Sequence, residues 1–289
     1  MEKMDKINTK ICNPWNSRNR LVSSKEIHNI LSRYGITKSY KNISLFQQSC
    51  IHTSYKDKSE EWAKQSEPMI LLEKPSNCLP LQVDDNEELE HVGDGLLSGI
   101  VADYLKQRYG GQGEGFLTSL RTAIVNNDSL GHLTLKIGID KHLIISRHQE
   151  EVCNGRKNLR LLGSLFEAWL GAIFYSEGGG GRGFEATQTF VISVIQKHVD
   201  FVELITSNTN YKDQILRFFQ ANYHVPPTYK VIHEEGPTHD RTFTIGVMDL
   251  SGGIIASSSA KNKKIAEQEA SRLALEKLSL TLTRDANRD

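Results

Sequence analysis

Apolar residues recur at helical spacing through the first two thirds of the chain and switch to strand spacing near its end. A first helix is expected from Ser23, a residue type suited to an N-cap, with Ile27, Ile30 and Leu31 on one face. Before it, residues 1–22 are polar and read as a flexible arm. Residues 57–85 interrupt the periodicity: Lys74-Pro-Ser-Asn77 and Leu79-Pro80 suggest an extended inserted loop, and Asp84-Asp-Asn86 a helix start. Helices are then expected at about 86–109, 114–125, 127–137, 158–176 and 184–205, with the four glycines 178–181 as a flexible joint. One domain over 23–205 and a polar linker at 206–210 follow from this pattern.

The segment 211–280 has a different rhythm. A helix over 212–223 precedes three short alternating runs near 228–232, 241–248 and 254–258, with Phe243, Ile245 and Val247 on one face. A helix over 263–278 carries Ala266, Ala270, Leu273, Ala274 and Leu278 at helical spacing. The order α-β-β-β-α predicts a three-stranded antiparallel sheet with both helices on one face, and 281–289 read as a tail.

Composition narrows the field without naming a function. The 289 residues suffice for two cores. Lys+Arg and Asp+Glu are equal at 35 each, so any nucleic-acid reading rests on where charges sit. No run is apolar enough to predict a membrane helix. Cys12, Cys50, Cys78 and Cys153 form no CxxC pair, which favours free thiols over zinc and an intracellular, cytoplasmic location.

The segment around residue 90 carries the candidate chemistry. Glu87, Glu90 and Asp94 fall at i, i+3 and i+7, stacking three carboxylates on one helical face, with Leu89, Val92, Leu96 and Leu97 opposite. Like charges so placed destabilise a helix unless something positive lies between them. Gly93 and Gly95 each cost about 1 kcal/mol relative to Ala in a helix, which suggests another backbone close by. A second carboxylate, Glu167, stands alone in an apolar stretch, and a buried carboxylate needs a partner or a metal. Placed opposite Glu90 and Asp94 it would complete a hard-oxygen site suited to Mg²⁺, with Mn²⁺ as a substitute. A solvated acidic face and a water-facing helix-end glutamate are the plainer alternatives.

In the last 80 or so residues, Gly236-Pro-Thr-His239 falls in the first strand loop, and Lys261, Lys263 and Lys264 start the last helix. A helix N-terminus favours phosphate through its dipole and free N–H groups. Lysines there reinforce that preference, although a lysine run alone is usually a solvated face. His239, Lys261, Lys263 and Lys264 are therefore candidates for contact with phosphate.

These motifs together resemble the ribonuclease III family. Asn86-Glu-Glu-Leu-Glu-His-Val-Gly-Asp94 looks like its signature helix, and His52-Thr-Ser-Tyr55, Glu114-Gly-Phe-Leu-Thr-Ser-Leu-Arg121 with Asn126, and Phe166-Glu167-Ala-x-x-Gly-Ala172 follow in the family's order. The later part resembles the double-stranded RNA-binding domain, with Pro227-Thr-Tyr229 and Thr242-Phe-Thr244 in family positions. The inserted segment is similar to forms in large DNA viruses and some protists. The resemblance implies an all-α nuclease domain followed by a small α+β domain. It also implies a homodimer that hydrolyses double-stranded RNA with Mg²⁺, leaving 5′-phosphate, 3′-hydroxyl and short 3′ overhangs. Glu90, Asp94 and Glu167 match family metal ligands and catalytic positions, with Glu87 and Glu114 as outer acids. The apolar face of Leu89, Val92 and Leu96 is expected to find partners in the second copy. Two positions depart from the family. Ser164 stands where Asp is usual and makes a weak metal ligand, and His91 replaces an aromatic or aliphatic residue and suits packing or a dimer contact better than catalysis. Ser164 keeps a second possibility open, a catalytically impaired scaffold or sequestering protein that binds double-stranded RNA.

Overall fold

The computed structural model describes residues 10–37, 42–63, 69–207, 211–237 and 241–285. The chain divides into two units, Met1–Ile205 and Thr206–Asp289. The first is helical and the second α+β, each with its own apolar core.

The first unit begins with β1 (Lys10–Cys12), α1 (Ser24–Ser32), α2 (Ile43–Ser49), α3 (Ser59–Ala63) and β2 (Met69–Leu71). It continues with α4 (Glu87–Tyr109), α5 (Glu114–Val125), α6 (Asn127–Ile137), α7 (Arg147–Glu151), α8 (Leu159–Ser176), α9 (Gly180–His198) and α10 (Phe201–Ser207). Ser23 caps α1 through a reciprocal pair with Glu26, and Ile27, Ile30 and Leu31 face the core.

Helix α8 is the axis of this unit. From Leu162 to Ile173 nearly every residue is buried, the pattern of a helix apolar all round and enclosed by others. It packs against α2, α4, α6 and α9, and Trp169 meets Phe46 of α2 edge to face at 5.0 Å. The contact with α4 is unusually close. A Cβ on Gly93 would lie 1.8 Å from the Glu167 carbonyl oxygen, and one on Gly171 would lie 2.3 Å from that of Leu89. The two helices thus cross backbone to backbone, with a glycine from each at the contact. Gly95 differs from its expectation, because nothing lies within 4 Å of its Cβ position.

Other expectations need correction. The segment read as a flexible arm is held in place from Lys10 onward. β1 pairs in parallel with β2, and Trp15 donates its indole N–H to the Leu72 carbonyl at 2.7 Å. Asn16 and Asn19 are buried and donate to the Ile145 carbonyl at 3.1 and 2.9 Å. Residues 1–9 lie outside the described residues. The inserted loop also contains α3 and β2, and Tyr55 bonds the Leu79 carbonyl across its base at 2.8 Å. The helix expected over 184–205 starts at Gly180 and breaks at Val199, where α10 takes over. Thr206 and Ser207, read as linker, end α10, while 208–210 lie outside the described residues. Leu89 is not an unpartnered face residue. It is buried within its own chain, and Leu96 packs partly against the same core.

The second unit comprises α11 (Tyr211–Tyr223), β3 (Thr228–Glu235), β4 (Thr242–Met248), β5 (Ile254–Ala260) and α12 (Lys263–Asp285). The sheet is antiparallel in the order β3-β4-β5. Ile215 and Phe219 of α11 share a core with Val247, Ala256, Ala270 and Ala274. Small residues on α12 let it lie close to the sheet, and the Tyr229 hydroxyl bonds Ser271 at 2.7 Å. The helix runs past its expected end into the segment read as a tail.

The crossing gives a paired stability test. Gly93→Ala forces backbone apart and should cost at least about 1–3 kcal/mol in urea unfolding. Gly95→Ala meets open space and should be neutral or stabilising by up to about 1 kcal/mol, since Ala is the better helix former. Equal effects at the two positions would mean that the helices do not meet at Gly93.

Candidate active site and nucleic-acid interface

The crossing of α4 and α8 brings the acidic residues together. Glu90 and Asp94 on α4 and Ser164 and Glu167 on α8 line one open cavity of about 680 Å³, with Glu87, His91, Val125, Asn126, Asn127 and Arg160 around it. Glu167 is 8% exposed, while Asp94 and Glu87 are open to solvent. Glu87 and Glu90 lie in the first turn of α4, where the helix dipole favours anions. The Asn126 side chain caps α6 by accepting from the Ser129 N–H at 2.9 Å, which fixes the rim of the cavity between α5 and α6.

Electrostatics in the cavity favour protons or a cation. Burial, and then the charges of Asp94 and Glu90, push the Glu167 carboxyl up to about 7. Burial also raises Glu90. The Ser164 hydroxyl opposes that rise, Glu87 and Asp94 add to it, and Arg160 opposes it. Glu167 forms no hydrogen bond or ion pair through its side chain among the described residues. Three acidic oxygen donors facing one cavity, one of them buried without a partner, fit a hard divalent cation. They are not drawn together for one in advance: among the described residues no three acidic, imidazole or thiol groups form a ready metal cluster.

Glu114 is not brought to this cavity within the chain. It opens α5, accepts a hydrogen bond from Thr118 at 2.8 Å, and lies the length of that helix, about 16 Å, from Val125 at the rim. His91 is exposed, neither packed nor buried in its own chain, and also borders a neighbouring groove of Leu45, Leu89, Val92 and Tyr175. Arg160 and Asn127 were missed by the sequence reading. Arg160 had a legible signal, because it stands one turn before Ser164 on the same helix face.

In the second unit Lys261, Lys263 and Lys264 are exposed at the start of α12. Lys263 is already engaged: its ammonium lies 3.1 Å from Glu234 of β3 and 4.6 Å from the centre of the Phe243 ring. Glu234 also holds Arg241 at 3.3 Å, and these two cations keep its carboxyl below the usual range. His239 lies outside the described residues.

The fold and site define a class: a helical domain with an acid-lined cavity, joined to a small α-β-β-β-α domain with a lysine-bearing helix start. Residues 87–178 match the ribonuclease III domain, and residues 211–278 match the double-stranded RNA binding motif. A probable ribonuclease 3 of Acanthamoeba polyphaga mimivirus is 32% identical over 89% of this chain and 46% of its own length. Ribonuclease 3 of Streptococcus gordonii is 31% identical over 88% of this chain and 97% of its own length. The nuclease domain of ribonuclease III from Campylobacter jejuni superposes with a TM-score of 0.46 at 23% identity, covering 61% of this chain and 97% of that one. The chain belongs to the ribonuclease III family of double-stranded-RNA endonucleases. No described helix is long and apolar enough to cross a membrane.

The raised Glu167 carboxyl has a measurable consequence. Between pH 4.5 and about 7 the folded chain binds more protons there than the unfolded chain does, so stability falls as pH rises through that window and stays reduced above it. Glu167→Gln keeps the shape without the charge. Free of divalent ions, it should melt higher than the native protein at about pH 8, with the gap closing toward pH 4.5. A variant no more stable than the native chain at the higher pH would show that the carboxylate is not under electrostatic stress.

Proposed function

We propose that this chain hydrolyses double-stranded RNA as a homodimer, leaving 5′-phosphate and 3′-hydroxyl ends with short 3′ overhangs. Glu90, Asp94 and Glu167 would hold Mg²⁺, or Mn²⁺ in its place, with Ser164 as a weak neutral ligand and Glu87 as an outer acid. Glu114, remote within one chain, is left as an outer acid without a direct contact. The observation that carries this reading is the shared cavity of Glu90, Asp94 and Glu167, with Glu167 buried and unpartnered. When bound, the ion supplies an activated water and positive charge for the phosphate. Glu167 would hold the ion as a carboxylate, so metal binding near neutral pH should release a proton from it. Ser164 contributes a hydroxyl beside Glu90 where a carboxylate would add charge. That substitution supports a second reading, an impaired relative that binds double-stranded RNA without cutting it. The groove beside the buried Leu89, with the partly exposed Leu45 and Val92 and the exposed Tyr175, offers a surface for the dimer contact.

Binding of RNA is assigned to the second unit. Lys261, Lys263 and Lys264 would neutralise phosphates at the start of α12, and His239, outside the described residues, is a further candidate for RNA contact. Lys263 must leave Glu234 to do so, and its share of the affinity is reduced accordingly. Lys263→Ala with Lys264→Ala should weaken binding about equally for unrelated sequences and lower the salt slope by about one unit per lost contact. Unchanged affinity and slope in a titration would place the RNA surface elsewhere.

Cleavage is tested by a metal titration of three full-length proteins. The native chain should cut slowly, its rate still climbing with Mg²⁺ or Mn²⁺ where an acidic site would have saturated. Ser164→Asp should saturate at lower metal and cut faster, since it adds a charged oxygen one turn from Glu167. Glu167→Gln should lose cleavage and keep RNA binding, because binding resides in the other unit. If the native chain stays inactive at every metal concentration and Ser164→Asp does not restore cutting, the non-cutting reading replaces this one.

A further inference from the structure

Three helices of the first unit end together. Arg33 is the C-cap of α1, Lys136 stands in the last turn of α6, and Lys197 and His198 close α9. Side-chain contacts join the three ends. Arg33 donates to the Ile137 carbonyl at 2.6 Å, and Lys136 to the His198 carbonyl at 3.1 Å. Beside them lies the buried ring of Tyr34. Its hydroxyl bonds His198 Nε2 at 2.9 Å, and its ring centre is 5.6 Å from the Arg33 guanidinium carbon and 5.4 Å from the Lys197 ammonium.

Helix capping explains only part of this arrangement. The C-terminal end of a helix carries roughly half a negative charge, so the three ends together supply about one and a half. Arg33, Lys136 and Lys197 bring one positive charge each, which leaves an excess. Carboxylates do not meet it: all three cations are exposed, and none forms an ion pair among the described residues. Asp200, just after α9, is turned to α10 and accepts from the Val202 and Glu203 N–H groups at 2.9 and 3.1 Å. His198 registers the excess. Burial holds its ring below the ordinary imidazole range, and Lys136, Lys197 and Arg33 push it further down, with no acid among the described residues acting against them. Lys+Arg and Asp+Glu balance at 35 each over the whole chain, so positive charge is concentrated here locally. None of these residues lines the acidic cavity.

We propose that Arg33, Lys136 and Lys197 form a contact surface for the phosphate backbone of double-stranded RNA, on the nuclease unit and outside its acidic cavity. The inference rests on the nuclease reading and adds a surface to it. The cations stand on three helix ends braced against one another, so their spacing is set before RNA arrives. Each keeps N–H groups beyond those bonded to carbonyls, free to donate to phosphate oxygens. Contacts of this kind position a duplex without reading its sequence.

The test compares full-length proteins binding a labelled duplex about twice the roughly 16 base pairs that one double-stranded-RNA-binding domain spans. Divalent ions are left out so that nothing is cut. The variants are Lys197→Gln, Lys136→Gln with Lys197→Gln, and the same pair with Arg33→Gln. Lys25→Gln with Lys106→Gln is the control, matched in charge to the first pair and placed outside the patch. Glutamine keeps an N–H donor for the carbonyls of Ile137 and His198, and Lys197 makes no hydrogen bond, so the helix ends stay capped. Each lost phosphate contact should remove about 0.9 from the salt slope. Lys197→Gln should therefore lose about one unit, the patch pair about two and the triple variant about three. For the patch pair this makes the deficit in affinity roughly tenfold larger at about 50 mM than at about 200 mM salt. The control pair should match the native chain. Native affinity and slope in the patch pair, or an equal loss in the control pair, would overturn the inference and leave RNA binding by the second unit and the nuclease reading standing. Should the multiple variants melt lower than the native chain, Lys197→Gln alone decides by the same criterion. A native chain that binds no duplex would overturn both readings.

Discussion

The backbone contact between α4 and α8 is the constraint on which the rest of the first unit depends. Gly93 sits on the Glu167 carbonyl and Gly171 on that of Leu89, so each helix supplies the glycine that admits the other's backbone. At ordinary helix separations of 8–10 Å the side chains would hold the two axes apart. Here the axes close up, and the turn bearing Glu90 and Asp94 lies directly against the turn bearing Glu167. Packing thus sets the position of the carboxylates, and the apolar surroundings of α8 keep Glu167 there.

That placement carries an electrostatic cost, visible in the raised carboxyls of Glu167 and Glu90. A buried carboxylate facing two others is stable only when it is protonated or when positive charge arrives. The fold is therefore under tension at one point, which a divalent ion bound there would relieve. Ser164 lessens the tension by withholding a further negative charge, and its hydroxyl lies beside Glu90. Arg160 opposes the same accumulation from the first turn of α8. Ser164, standing where the family resemblance leads one to expect Asp, and Arg160 thus act in the same electrostatic direction.

The periphery shows another use of polar groups. Asn16 and Asn19 are buried against the Ile145 carbonyl, and Glu150 gathers Arg18 and Arg156, so the N-terminal segment is fastened by hydrogen bonds and ion pairs more than by apolar area. The β1–β2 pair joins the same segment to the insertion. In the second unit, Glu234 holds Lys263 and Arg241 on the face expected to meet RNA. RNA phosphates bound there would compete with a carboxylate of the protein, which would lower the affinity.

What the sequence determined by itself was whatever local periodicity or motif spacing encodes. The extents of α4, α5, α6 and α8, the α-β-β-β-α order, and the stacking of Glu87, Glu90 and Asp94 on one face follow from helix and strand repeats that act over a few residues. Gly93 signalled a close approach, because a glycine inside a long helix needs a reason, but the identical argument failed for Gly95, which faces open space. Only the tertiary structure decided which backbone Gly93 meets, that Leu89 belongs to its own core, and that Glu114 lies far from the acids it was grouped with. Only the tertiary structure paired Lys10–Cys12 with Met69–Leu71, and Lys263 with Glu234. Each of these joins residues distant in sequence, and no local pattern at either end records the partner. Periodicity says which face of an element is apolar, whereas close packing among several elements decides what that face touches.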